Sequence, residues 1–185
     1  MRRSEYPISE QLAVVLGSQD CELKGWVGVA RPVNLDISDD VAEQLLKRSG
    51  VTAVTVFNLG PRCEYLAKSN HGVLAIGHAQ GRLDTLVVLN ALGNCKPEFR
   101  QAVKTSLSAL LKPRALVYFV RPLDRGLYKT RSIVKYFDDQ EFSDELRGFF
   151  SNPTVIPSEH ARYGLTKCGG DDNVNEIGQT EGVPG

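Results

Sequence analysis

The chain has 185 residues, 42% of them hydrophobic and 24% charged, with 22 basic side chains against 22 acidic ones. That length holds one well-buried core and falls short of two typical domains. The even charge balance argues against coating nucleic acid by bulk electrostatics, and no apolar run approaches the ~20 residues of a membrane-spanning helix. The segment MRRSEYPISE has two arginines with no apolar core behind them, so no secretory signal is expected. Cys21, Cys63, Cys95 and Cys168 form no CxxC pair, which fits a reducing, cytoplasmic setting.

Taken in chain order, Ile8 to Leu16 reads as either a short helix or an edge strand. Leu23 to Ala30 (LKGWVGVA) reads as a strand weakened by its glycines. A helix follows, with Ser38 as N-cap, Asp39 and Asp40 in its first turn, and Lys47 and Arg48 in its last. Gly50 ends it, and Val41, Leu45 and Leu46 mark its buried face. Val51 to Phe57 is a β-branched strand. After a loop over 58–71, GVLAIGH and DTLVVLNAL read as two buried strands paired as a hairpin.

Pro97 opens a second helix, on which Phe99, Val103, Leu107, Leu110 and Leu111 recur at helical spacing until Pro113 stops it. Ala115 to Val120 and Ser132 to Phe137 are expected strands, and Ser143 is expected to cap a last helix reaching about Phe150. Beyond Ser151 the chain turns to Pro, Gly, Asn and Asp, too polar to order itself. The expected organisation is an N-terminal segment 1–22, a single α+β domain over 23–150, and a mostly irregular tail 151–185. The α+β domain is read as a small mixed sheet packed by two or three helices.

The charge is uneven within this frame. Arg100 to Lys135 carries nine Lys or Arg and one acid, Asp124, an excess of eight positive charges. Such a block builds a local field in a neutral molecule and is where an anionic group is expected to be met. If its last part is extended, Lys129, Arg131, Ile133 and Lys135 share one face. Arg125, Lys129, Arg131 and Lys135 are therefore the candidate partner-binding residues, against the plainer reading of a solvated basic edge strand.

The other constellations are weaker. Cys63, His71, His78 and Cys95 have no zinc-site spacing, so no metal is expected. GHAQG and CGGDD lack the spacing and lysine of a phosphate loop. Asp138, Asp139 and Glu141 could act as paired carboxylates or simply solvate a helix start. Trp26 and Tyr136 could stack on a base.

Four segments resemble the small C-terminal domain of the adenylate-forming superfamily of acyl-CoA synthetases and peptide-synthetase adenylation domains. VGVARPVNLDISDDVAEQLLKRSGVTAVTVF is similar to that family's hinge, helix and first strand, and GRLDTLVVLNALG to its next strand. KPEFRQAVKTSLSALLKPRALVYFV is similar to the following helix and strand, and RPLDRGLYKTRSIVK to the loop bearing the catalytic lysine. In that loop Tyr128 stands at the usual proline, Ile133 at the glycine and Val134 at the lysine, with Lys135 one place late.

The resemblance implies Lys129 and Lys135 as candidate catalytic lysines. It also implies that the chain, lacking the large N-terminal domain, is not a complete adenylating enzyme and holds no cofactor of its own. The implied role is an accessory or interaction module acting with a larger adenylating subunit or an acidic acyl-carrier protein. The alternative is a nucleic-acid or phosphoprotein binding module using the same basic strip.

Overall fold

The computed structural model describes residues 8–31, 43–58, 80–123, 135–157 and 162–170. Helix α1 (Ile8–Leu16) precedes strands β1 (Gly25–Arg31), β2 (Val51–Asn58) and β3 (Leu83–Leu89). Helices α2 (Ala91–Asn94) and α3 (Pro97–Ser108) lead to the long strand β4 (Leu111–Pro122). Helix α4 (Asp139–Leu146) and strands β5 (Thr154–Ile156) and β6 (Tyr163–Gly169) follow.

The six strands form one sheet in the order β2-β1-β3-β4-β6-β5. β2, β1, β3 and β4 are mutually parallel, whereas β6 runs antiparallel to β4 and to β5. β3 and the centre of β4 are apolar because both of their faces are covered; β3 has six buried residues out of seven, whereas β2 at the sheet's edge leaves Thr52 and Ala53 exposed. On one face Leu12, Val15, Leu45, Val29, Leu89 and Tyr118 make a core beneath α1. On the other, Leu86, Val88, Leu107, Phe119, Phe142 and Phe150 make a second core beneath α3 and α4. Phe119 sits edge-on to Phe142 and Phe150, with ring centroids 5.7 and 5.0 Å away, an orientation aromatic pairs favour.

The fold is thus a mixed α/β arrangement with helices on both faces of a six-stranded sheet, rather than a small sheet with helices alone to pack it. The helix expected around Leu45 contributes its described residues 43–46, with Leu45 fully buried but Leu46 half exposed; Ser38 to Ala42 lie outside the described residues. Gly50 does end that segment in the left-handed region, at φ +92°. The hairpin is corrected. β3 bonds β1 along one edge and β4 along the other, which leaves no edge for an antiparallel neighbour. GVLAIGH itself lies outside the described residues.

Three further expectations change. The N-cap of α4 is Asp138, which accepts from the Glu141 amide while Glu141 reaches back to the Asp138 amide, a reciprocal pair that satisfies two orphan donors. Ser143 lies inside that helix and is buried. Residues 135–137 form no strand. Finally, 154–156 and 163–169 are strands, not irregular tail, because Tyr163, Leu165 and Cys168 alternate with residues of the opposite face and bury against both cores.

The amino-terminal edge of the sheet is closed. Gly25 adopts φ +65°, and a Cβ there would lie 2.1 Å from the Asp84 carboxylate. That carboxylate accepts from the Trp26 amide at 2.8 Å and pairs with Lys112 at 3.0 Å. The amide bond, aided by Lys112, holds the Asp84 carboxyl below the usual carboxylate range. Trp26 Nε1 donates to Thr55, so this indole is a structural side chain on one core while Tyr136 packs on the other. They share no stacking surface.

Candidate functional site

In an open α/β sheet, ligands are met outside the carboxyl ends of the strands where the chain order reverses direction. Here β1 is flanked by β2 on one side and β3 on the other, so the reversal falls between β1 and β3. β1 ends at Arg31, which is 1% exposed and points toward the α1 face with Val27 and Val29. β3 ends at Leu89, and the next residue, Asn90, adopts φ +48° before α2 begins. Asn tolerates this left-handed backbone better than most side chains. The Asn90 amide donates to Val120, which ties the turn to the end of β4.

A narrow cleft opens beside this turn, between the carboxyl ends of β3 and β4, its enclosed part having room for about one water molecule. Asn90 lines it from the turn before α2, Gly93 from α2, Arg121 from β4, Lys135 and Phe137 from the segment before α4, and Phe142 from α4 itself. Asn90 is 6% exposed, and its side-chain oxygen has no hydrogen-bond partner among the described residues. A buried amide oxygen without a donor costs free energy on the order of 1–3 kcal/mol. Such a group at a cleft wall is the kind a ligand satisfies.

The charged groups around the cleft are held by named contacts. Arg121 donates from Nε to the Phe137 carbonyl at 3.2 Å and from Nη1 to Thr166 at 3.4 Å, and its Nη2 pairs with Asp139. It lies over the Phe142 ring and fastens residues 137–139 to the sheet. Lys135 donates its amide to Gly93 and pairs its ammonium with Glu141 at 2.7 Å. That ammonium bond, then the Asp138 amide, hold the Glu141 carboxyl below its ordinary range. The three acids of the 138–141 cluster are therefore a helix cap and two ion-pair partners, not a free carboxylate pair.

Thiol and phenol chemistry find no support among the described groups. Burial pushes the Cys168 thiol up to about 12 and the Cys21 thiol up to about 11, far from a nucleophilic thiolate at neutral pH. Cys95 is buried at the end of α2. Tyr118 is raised by burial, and its hydroxyl both donates to and accepts from the Glu22 backbone. No cluster of three metal-ligating side chains occurs among the described residues. No helix among them is long and apolar enough to cross a membrane.

Of the residues singled out by sequence, only Lys135 reaches this place; Arg125, Lys129 and Arg131 lie outside the described residues, as do Cys63, His71 and His78. Asn90 and Arg121 were missed. Their signals were present: a single polar residue ends each of the apolar runs LVVLN and ALVYFVR.

No family model matches the sequence, and no curated protein matches it. Solved structures do match its fold. The complex of DhpI with SAH is 15% identical with a TM-score of 0.56, over 88% of this chain and 85% of that one. The 1,6-didemethyltoxoflavin N1-methyltransferase of Burkholderia thailandensis, solved with its substrate and S-adenosylhomocysteine, is 16% identical with a TM-score of 0.52, over 88% and 76%. PigF with SAH is 12% identical with a TM-score of 0.53; the match covers 89% of this chain but 62% of PigF.

The fold is therefore one shared with these SAH-bound structures, and the resemblance to the adenylate-forming C-terminal domain is corrected. With it go the accessory-module role beside an adenylating partner and the nucleic-acid alternative. The misleading segment is Leu107 to Pro113. It does end one helix and start one strand, but a helix leaving through Leu-Lys-Pro into an apolar strand suits any βαβ unit.

Proposed function

We propose that the chain binds S-adenosylmethionine across the carboxyl ends of β1 and β3 and methylates a small acceptor met at the mouth of the adjoining β3/β4 cleft. The observation that carries this reading is the position of the buried Asn90 oxygen, on the wall of a cleft beside the reversal point of a methyltransferase-type sheet. At that junction an acceptor hydroxyl or amine finds a hydrogen-bond acceptor that orients its lone pairs toward the neighbouring crevice. Bound there, the cofactor supplies an activated methyl group on a sulfonium sulfur.

The residues fit such a cofactor better than a dinucleotide. Glycines 25 and 28 lie within β1, and no glycine occurs between Arg31 and Gly50. A Gly-x-Gly-x-x-Gly turn that lets backbone amides cradle a pyrophosphate is thus missing from the first crossover. An adenosyl group without phosphate needs no such cradle.

Isothermal titration of the full chain with S-adenosylhomocysteine, NAD and ATP tests the reading. SAH is expected to bind with a Kd on the order of 10 μM, with NAD and ATP at least tenfold weaker. At a hundredfold excess over Kd, SAH should raise the unfolding free energy by about 2.7 kcal/mol. No heat with SAH at about 1 mM, or equal affinity for all three, would remove the proposal.

A further inference from the structure

We propose that the acidic segment 171–176 docks on a row of cations at the amino-terminal edge of the sheet, an intramolecular clasp on the side opposite the cofactor crevice. The parallel strands begin along this edge and β6 ends there. Residues 18–24, 47–50, 80–84, 112–114 and 167–170, which make up the edge, carry seven Lys or Arg against three Asp or Glu. Lys24, Arg82, Lys112 and Arg114 are exposed. Asp84 is already engaged with Lys112 and the Trp26 amide, and Lys24 and Arg82 have no ion pair among the described residues. Neighbouring strands lie about 4.8 Å apart, so β1, β3 and β4 set these cations along roughly 10 Å. That is about one Debye length at moderate salt, and their fields add.

The backbone delivers the acidic segment to this row. At the start of β4, Leu83 faces Leu111 but Thr85 faces Leu116, so β4 uses five residues where β3 uses two. The surplus bulges out at the edge, with Arg114 at φ +65°, a left-handed backbone that disfavours any residue with a Cβ. Against this bulge β6 ends in Gly169 and Gly170, at φ +75° and +78°. A Cβ on Gly169 would overlap the Ala115 carbonyl oxygen, and the Gly170 amide donates to that same oxygen at 3.2 Å. Two left-handed glycines in succession thus press the chain against the residue next to Arg114.

Residues from 171 on lie outside the described residues. Their sequence, DDNVNEIGQTEGVPG, has four acids and no base. Asp171 is one Cα step of about 3.8 Å from Gly170, and Glu176 is within about 20 Å of it. Lys24, two strands from the bulge at roughly 10 Å, is inside that reach. A tether this short gives the segment an effective concentration on the order of millimolar, which a separate acidic partner lacks.

Carbodiimide coupling of the full chain, which joins lysine amines to carboxylates in contact with them, tests the clasp. At about 50 mM salt a Lys24–Glu176 link is expected beside the Lys112–Asp84 link that their 3.0 Å ion pair favours. Raising the salt to about 500 mM, or combining Arg82→Gln with Arg114→Gln, should lower the Lys24–Glu176 yield at least fivefold. In the double variant the Lys112–Asp84 link should persist, reporting a folded edge, and SAH affinity should stay within about twofold, because the crevice is at the other end of the strands. Absence of the Lys24–Glu176 link while Lys112–Asp84 forms, or a yield indifferent to salt, overturns the proposal. Links formed between isotopically light and heavy copies rather than within one copy overturn it as well. Should the double variant lose the Lys112–Asp84 link, the salt series on the wild-type chain decides alone.

Discussion

The two edges of the sheet are built on opposite terms. At the amino-terminal edge the Asp84 carboxylate is fully engaged, taking the Trp26 amide and the Lys112 ammonium, and Gly25 leaves them room with no space to spare. At the carboxyl edge a buried amide oxygen lacks a donor and two cations share one aromatic ring. The first arrangement lowers the energy of the fold, and the second leaves interactions unfinished for a ligand to complete. A protein spends stability where it binds, so substitutions at the two edges should fall into two different classes.

The largest effect is expected at the closed edge. Gly25→Ala forces a Cβ into a left-handed backbone and into the Asp84 carboxylate, and should cost about 2–4 kcal/mol in urea unfolding. SAH affinity of the remaining folded protein should be unchanged. An alanine variant of wild-type stability would show that the closed edge has slack.

Asp84→Asn comes next. Because the folded carboxyl titrates below its unfolded value of ~3.9, its contribution is complete above that pH and fades as the pH drops through the lower folded value. Wild-type stability should therefore fall with acid below about pH 4 more steeply than that of the asparagine variant. At pH 7 the variant should be about 1 kcal/mol less stable, the ion pair with half-exposed Lys112 being screened. Parallel acid limbs in the two proteins would dismiss the role given to Asp84.

Asn90→Gly sharpens the contrast from the other side. Glycine keeps the left-handed turn and deletes the unmet oxygen, so stability in urea unfolding should hold or rise by up to about 1 kcal/mol. A fall of more than about 2 kcal/mol would mean that Asn90 is a structural residue, and the two edges would no longer differ in kind.

Much of this architecture was legible in the sequence, at the level of elements. Helix α3 was readable because Val103 and Leu107 repeat at helical spacing and both are fully buried, β2 because its residues are β-branched, and β3 and the centre of β4 because parallel strands covered on both faces are continuously apolar. The pairing of those strands was not legible. Continuous apolarity carries no record of which neighbour lies on which edge, so DTLVVLNAL suited a hairpin as well as the middle of a parallel sheet. β6 was hidden for a different reason: YGLTKCG contains two glycines and a lysine, and its burial comes from β4 beside it rather than from local propensity. The site was half visible. The basic block marked Lys135 by charge, but its meeting with Gly93 and Phe137 at the cleft is a product of the fold, and a lone Asn after an apolar run has no signature until its surroundings are known.

The order β4-β6-β5 also has a consequence for how the molecule comes into being. β5 bonds only to β6 among the described strands, and β6 follows it in the chain. During synthesis from the amino terminus, the four parallel strands emerge in turn and can collect on β1, whereas β5 emerges with nothing to join. It waits until residues 163–169 leave the ribosome and slot in beside β4 at an antiparallel register that pairs Leu116 with Gly169. Closure of that edge is thus a late, long-range step, and until it occurs Leu116, Tyr118 and Val120 face a nascent sheet whose last strand still has a bare edge open to other chains.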